Sequence, residues 1–138
     1  MAKFSNRSLT NLEGVHPFLQ RVMHEAIKNT PVDFTITDGV RTVKEQQALY
    51  TKGRTKPGNI VTHCDGIRKK SNHQPKADGF GYAVDLYPYM NGSVQVNAVK
   101  ELKIIANHIL NTAKDLGINI EWGGNWRMKD YPHFELKI

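Results

Sequence analysis

The chain has 138 residues, enough to bury one hydrophobic core and too few for two. With 39% apolar and 23% charged residues, its composition is that of a folded globular protein and excludes an extended disordered tail. A net charge of +6 favours an anionic partner, whether nucleic acid, an acidic membrane surface or an anionic wall polymer, and charge alone does not choose among them.

The first residues, Met1-Ala2-Lys3-Phe4-Ser5-Asn6-Arg7, lack the apolar run of a secretion signal, and no stretch is long enough to span a bilayer. From about Gly14 to Asn29, the residues Val15, Phe18, Leu19, Val22, Ala26 and Ile27 recur at steps of three and four. That spacing predicts an amphipathic helix with Pro17 in its first turn, where His16 and His24 are surface or packing residues. Asp33 to Thr37 alternate polar and apolar, which predicts a strand closed by Asp38-Gly39. Val43 to Gly53 predicts a second helix, with Thr42 as cap, Glu45 at its third position and Gly53 as its stop. Arg41 lies between the strand end and the helix start, where it either points into a cleft or pairs with a surface carboxylate.

From Arg54 to about Phe80 periodicity is lost, and a loop of this length in a compact domain is functional or mobile. The triplet Arg68-Lys69-Lys70 within it reads as a solvated basic face, and the lack of an aromatic-interleaved basic stripe argues against nucleic acid. Cys64 is the only cysteine, so no intramolecular disulfide forms. His63 would point away from it on an extended chain, which speaks against a Cys-His nucleophile. Tyr82 to Tyr87 predicts a strand ended by Pro88, with Ala83, Asp85 and Tyr87 on one face. A lone Asp on such a strand needs a partner. The clearest helix begins near Asn97 and stops at Gly117, with His108 off its apolar stripe and facing solvent. Ile118 to Trp122 predicts a strand, followed by a loop through Trp126 and a last strand from about His133 to Leu136. Trp122 and Trp126 either pack into the core or wall a substrate groove.

His73, Asp85 and His133 are of the types that hold a catalytic zinc through three protein ligands, with a fourth position left for water. Asp130, three residues before His133, is a candidate proton carrier. A metal-free polar network of the same four residues is the alternative.

Ser71-Asn72-His73, Gly81-Tyr82-Ala83-Val84-Asp85 and Asp130-Tyr131-Pro132-His133, preceded by Gly39-Val40-Arg41-Thr42, resemble in order the motifs of the zinc D-Ala-D-Ala peptidase superfamily. Within it, the chain is similar to the phage L-alanyl-D-glutamate endopeptidases that act as endolysins. The resemblance implies a single small α+β domain over residues 1–138, an antiparallel sheet flanked by helices in the hedgehog/D,D-peptidase manner, with no separate cell-wall-binding domain. It implies Zn2+ on His73, Asp85 and His133, Asp130 as acid/base, and Arg41 as a substrate or transition-state anchor. Ser71 becomes a substrate contact beside Trp122 and Trp126. The expected partners are peptidoglycan stem peptides cut between L-Ala and D-Glu, with anionic wall or outer-membrane polymers drawn to the basic surface. The expected form is a monomer that waits in the host cytoplasm until a holin opens the membrane. Asp rather than Glu at position 130 points to the endopeptidase branch. The alternatives are a D-alanyl-D-alanine carboxypeptidase of the same fold and a non-catalytic wall-binding module. The spacer Gln74 to Phe80, longer than in many relatives, is predicted to form a flap beside the substrate groove.

Overall fold

The computed structural model describes residues 2–138. Its elements run α1 (Asn6–Leu12), α2 (Pro17–Lys28), β1 (Phe34–Asp38), α3 (Val43–Thr51), β2 (Ala83–Met90), β3 (Ser93–Val94), α4 (Val99–Leu116), β4 (Ile120–Trp122), a 3-10 turn (Gly123–Asn125) and β5 (His133–Leu136). The sheet is antiparallel in the order β1-β2-β5-β4, and β3 pairs with the far end of β2. This is the expected α+β architecture.

Period-two alternation divides the sheet into two chemically distinct faces. Phe34, Ile36, Val84, Leu86, Phe134 and Leu136 are buried in the core with Leu19, Val22 and Met23 of α2 and Leu102, Ile105 and Ile109 of α4. Truncating any of the larger of these to Ala would cost about 2–5 kcal/mol. The opposite face carries Asp85, His133 and Glu135, and the long loop gathers over it: Asn72 Nδ2 donates to Glu135 Oε2 at 2.9 Å.

The helix predicted from Gly14 begins only at Pro17, because Val15 bridges to Gly81 and His16 caps the helix by accepting the Phe18 N–H on Nδ1 at 3.0 Å. α1 was not foreseen. Its seven residues are too few for a periodic signal, and its role is to cover the open edge of β1. Ser8 Oγ accepts the Ile36 N–H at 3.0 Å and Asn11 Nδ2 donates to the Ile36 carbonyl at 2.8 Å.

Pro88 does not end β2, which continues to Met90. β5 flanks β2 only from Ala83 to Asp85, and β3 takes over at Tyr89, so the proline sits where that side of the strand has no ladder partner to lose. β4 starts two residues later than predicted, since the Ile118 N–H still serves the end of α4 by donating to the Ala113 carbonyl at 2.9 Å. His108 is not solvent-facing. It is half-buried and its Nε2 donates to the Ala26 carbonyl at 2.8 Å, tying α4 to the end of α2.

α3 carries the predicted capping box, in which Thr42 Oγ1 accepts the Glu45 N–H and Glu45 accepts the Thr42 N–H. The spacer Gln74 to Phe80, expected as a flap beside the groove, is no open flap. It closes on itself as a tight turn, with Lys76 N donating to Phe80 O at 2.9 Å and Gly79 N to Lys76 O at 2.8 Å. Asp78 locks it by accepting the Phe80 N–H and the Tyr82 hydroxyl. Among the described residues no helix is long and apolar enough to cross a membrane.

Candidate metal centre

β2 and β5 pair so that Asp85 lies directly opposite His133. Strand partners share a face, so both side chains emerge together on the polar side of the sheet. His73 arrives from the long loop and is pinned at both ends: its carbonyl accepts the Arg41 N–H at 2.9 Å, and its Nδ1 meets the Gly39 carbonyl at 2.8 Å. Gly39 is required at that point, since a Cβ there would collide with the Asn11 carbonyl of α1.

These anchors decide which ring nitrogens face inward. A carbonyl only accepts, so His73 Nδ1 carries the proton and Nε2 presents its lone pair 3.4 Å from Asp85 Oδ1. On His133 the Nε2 faces Glu135 Oε1 at 2.8 Å, which leaves Nδ1 facing Asp85 Oδ1 at 3.4 Å. Asp85 Oδ1 is buried and has no hydrogen-bond partner. Two ring nitrogens and one carboxylate oxygen, all within 4.8 Å of one another, therefore converge on a point where each needs a positive charge. Such a nitrogen and oxygen set, with outer hydrogen bonds that orient both imidazoles, fits a zinc ion.

The electrostatics agree with that reading. Burial opposes ionisation of Asp85, but the flanking His133 and His73 rings outweigh it and hold its carboxyl well below the usual carboxylate range. Burial likewise works against charge on His133, yet Asp85 and Glu135 raise it to about 9. In the metal-free protein this ring is protonated at neutral pH, and a cation binding there displaces that proton. Glu135 resists burial through its bonds to His133, Lys137 and Asn72 and falls to about 2. Asp130 moves the other way, with burial first and the Asp85 charge second pushing it up.

These groups open into a cleft of about 430 Å³ whose lining includes Arg41, Ser71, Asp130 and Trp126. Asp130 Oδ2 stands 3.9 Å from His133 Nδ1, and its side chain is 48% exposed to the cleft. Arg41 is held by Asp38, by Gln46 Oε1 at 2.8 Å and by Asp85 Oδ2 at 3.8 Å. A bulge in β1 between Ile36 and Asp38 brings Asp38 opposite Asp85 and so builds that clamp. Ser71 Oγ accepts the His73 N–H at 3.2 Å, and the Trp126 ring lies 5.0 Å from that of His133. Trp122 lies elsewhere. It pairs with Phe134, shares its core-facing side, stacks on it and donates Nε1 to the Tyr131 carbonyl at 2.7 Å. It lines a separate, larger depression of about 850 Å³ beside α4.

Glu135 was missed in the sequence, although the two-residue step from His133 puts it on the same face. Asp38 and Gly39 read as a strand end, without their contacts, and Gln46 and Gly123 gave no signal of their own. Gly123 is the most consequential, because a Cβ there would collide with the Asp130 carbonyl and press on the Cβ atoms of Asp130 and His133 at 3.0 and 3.1 Å. Gly123→Ala should destabilise the fold by about 1–3 kcal/mol and displace the His133 ring from its place opposite Asp85. Thermal melts and the imidazole NMR signals check this, and wild-type values in both would refute it.

Residues 1–137 match the family described as phage L-alanyl-D-glutamate peptidase. The chain is 36% identical over 131 residues, 88% of its length and 73% of the relative's, to the peptidoglycan L-alanyl-D-glutamate endopeptidase CwlK of Bacillus subtilis (strain 168). It is 30% identical over 137 residues, 98% and 89% of the two chains, to the L-alanyl-D-glutamate peptidase of Escherichia phage T5. In structure it is similar to the L-Ala D-Glu endopeptidase ChiX of Serratia marcescens, with a TM-score of 0.73, 31% identity and coverage of 97% and 89%. The vancomycin-resistance D,D-dipeptidase VanXYg shares the fold at 17% identity and a TM-score of 0.51, over 86% of this chain and 47% of that one. A match that runs the length of the chain, and relatives at this identity, establish that the protein belongs to the phage L-alanyl-D-glutamate peptidase family.

Proposed function

We propose that the protein is a zinc peptidase that hydrolyses the L-Ala–D-Glu bond of peptidoglycan stem peptides and serves as a phage endolysin. The observation that carries this is the buried, unpartnered Asp85 Oδ1 facing two inward ring nitrogens, with Asp130 beside them in an open cleft. Held by His73 Nε2, Asp85 and His133 Nδ1, a zinc ion would supply the Lewis acidity that polarises a scissile carbonyl and acidifies water.

The chain's own groups do the rest. Asp130, its affinity for a proton raised by burial and by the Asp85 charge, takes a proton from the attacking water and returns it to the departing D-Glu amine. Arg41, its guanidinium immobilised by Asp38 and Gln46, donates to the oxygen that gains charge during attack. Glu135 and the Gly39 carbonyl hold the two imidazoles in orientation. Ser71 and Trp126 line the route by which the stem peptide enters. The 138 residues act as one catalytic unit, active on the wall once released from the host cytoplasm.

Digestion of purified peptidoglycan tests this. New D-Glu amino termini should appear and should vanish when a zinc chelator is added. Release of free D-Ala would instead mark a carboxypeptidase, and wall binding without loss of turbidity a non-catalytic module. Cells producing the protein should stay turbid until their membrane is permeabilised, and lysis before that step would refute cytoplasmic storage.

A further inference from the structure

The charge of this protein is concentrated beside its cleft. Residues 43–77 contain eight Lys and Arg against two Asp and Glu, a net +6 that equals the charge of the whole chain, so the remainder balances at eleven of each. Two of these cations, Lys69 and Lys70, line the cleft itself. Neither pairs with a carboxylate among the described residues, whereas Arg41, the other cation in the cleft, is already engaged by Asp38 and Asp85.

The segment carrying the two lysines is firmly built. Asp65 Oδ1 accepts the N–H groups of Ile67, Arg68 and Lys69 at 3.0, 2.8 and 3.0 Å, and Gly66 N donates to Lys69 O at 3.1 Å. Gln46 and Gln74, both fully buried, grip the carbonyls of Cys64 and Gly66 at 2.9 and 3.0 Å. The lysines thus project from a fixed wall, which lowers the ordering cost of using them.

Resting on the peptidase reading above, we propose that Lys69 and Lys70 form a subsite for the free carboxylate of the glutamate whose amine is released. Glutamate has two carboxyl groups, and a peptide that continues through one leaves the other free, on the same residue whose amine forms the scissile bond. Such a substrate enters a cleft lined by Asp85, Asp130 and Glu135, which repel it. The two unpaired lysines in the same lining offset that repulsion and set a preference for substrates that carry the charge.

The test uses the zinc-loaded full chain and two muropeptides that differ only in whether this carboxyl group is free or a carboxamide. The wild type should cleave the carboxylate form about five- to tenfold more efficiently, through KM, with the advantage shrinking as salt rises. The double variant Lys69→Gln/Lys70→Gln should cleave both at the wild-type carboxamide rate. Equal wild-type efficiency on the two, or an equal loss on both in the variant, overturns the subsite. So does a variant that loses only binding to whole walls while keeping the wild-type preference. Failure of the wild type to cleave either muropeptide would instead overturn the peptidase reading on which the subsite rests.

Discussion

Asp130→Ala should leave a folded, zinc-loaded protein that hydrolyses peptidoglycan about 10²–10⁴-fold more slowly. The fold should survive because the side chain is half exposed and the local turn is made by main chain: Asp130 N donates to Gly123 O at 3.0 Å and His133 N to Asp130 O at 3.2 Å. Both bonds persist in alanine. Zinc should be retained because the carboxylate stands 3.9 Å from His133 Nδ1, beside the ligand triangle rather than part of it. What is lost is a carboxyl group whose affinity for a proton has been raised first by burial and then by Asp85, the property a general base requires. Metal analysis, circular dichroism and release of new amino termini measure the three quantities. A variant depleted of zinc would place Asp130 among the ligands and remove it from proton transfer.

Asp85→Asn should abolish zinc binding and activity without unfolding the protein. The substitution keeps the shape of the side chain, and the introduced amide would donate to the lone pair of His73 Nε2. The metal-free variant loses the attraction between Asp85 and the protonated His133 ring, so it should stay folded but melt below the metal-free wild type. Zinc at about a thousand times its dissociation constant should stabilise the wild type by roughly 4 kcal/mol, about 14 °C for a chain of this size. The variant should show no such shift. A full zinc-induced shift in Asp85→Asn would mean that the carboxylate is not a ligand.

Much of this was legible in the sequence, because a strand's two-residue period assigns faces without further knowledge. Asp85 on β2 and His133 on β5 needed only pairing in register to meet. The inward choice of ring nitrogen was not legible, since it depends on Gly39 and Glu135, groups brought in by tertiary contacts. Trp122 and Trp126 illustrate the same limit: they are one residue type four positions apart, and only the pairing of Trp122 with Phe134 sends it to the core while Trp126 lines the cleft. Lys69 and Lys70 read as solvated surface because an unpaired run of charge looks the same in sequence whether or not a cleft lies beneath it. Residues Gln74 to Phe80 were expected to form a flap beside the groove, but their own hydrogen bonds close them into a turn, and the wall is made by the segment before them.

That wall also bears on how such an enzyme can diversify. Gln46 and Gln74 hold it through the backbone carbonyls of Cys64 and Gly66, so the side chains at Ile67, Arg68, Lys69 and Lys70 contribute nothing to its anchoring. Their identities can be exchanged while the path of the chain and the imidazole geometry stay as they are. On the proposed subsite, substrate preference would be set by residues separate from those that place the imidazoles, and a library randomised over positions 67–70 should yield variants that stay folded, as thermal melts would check.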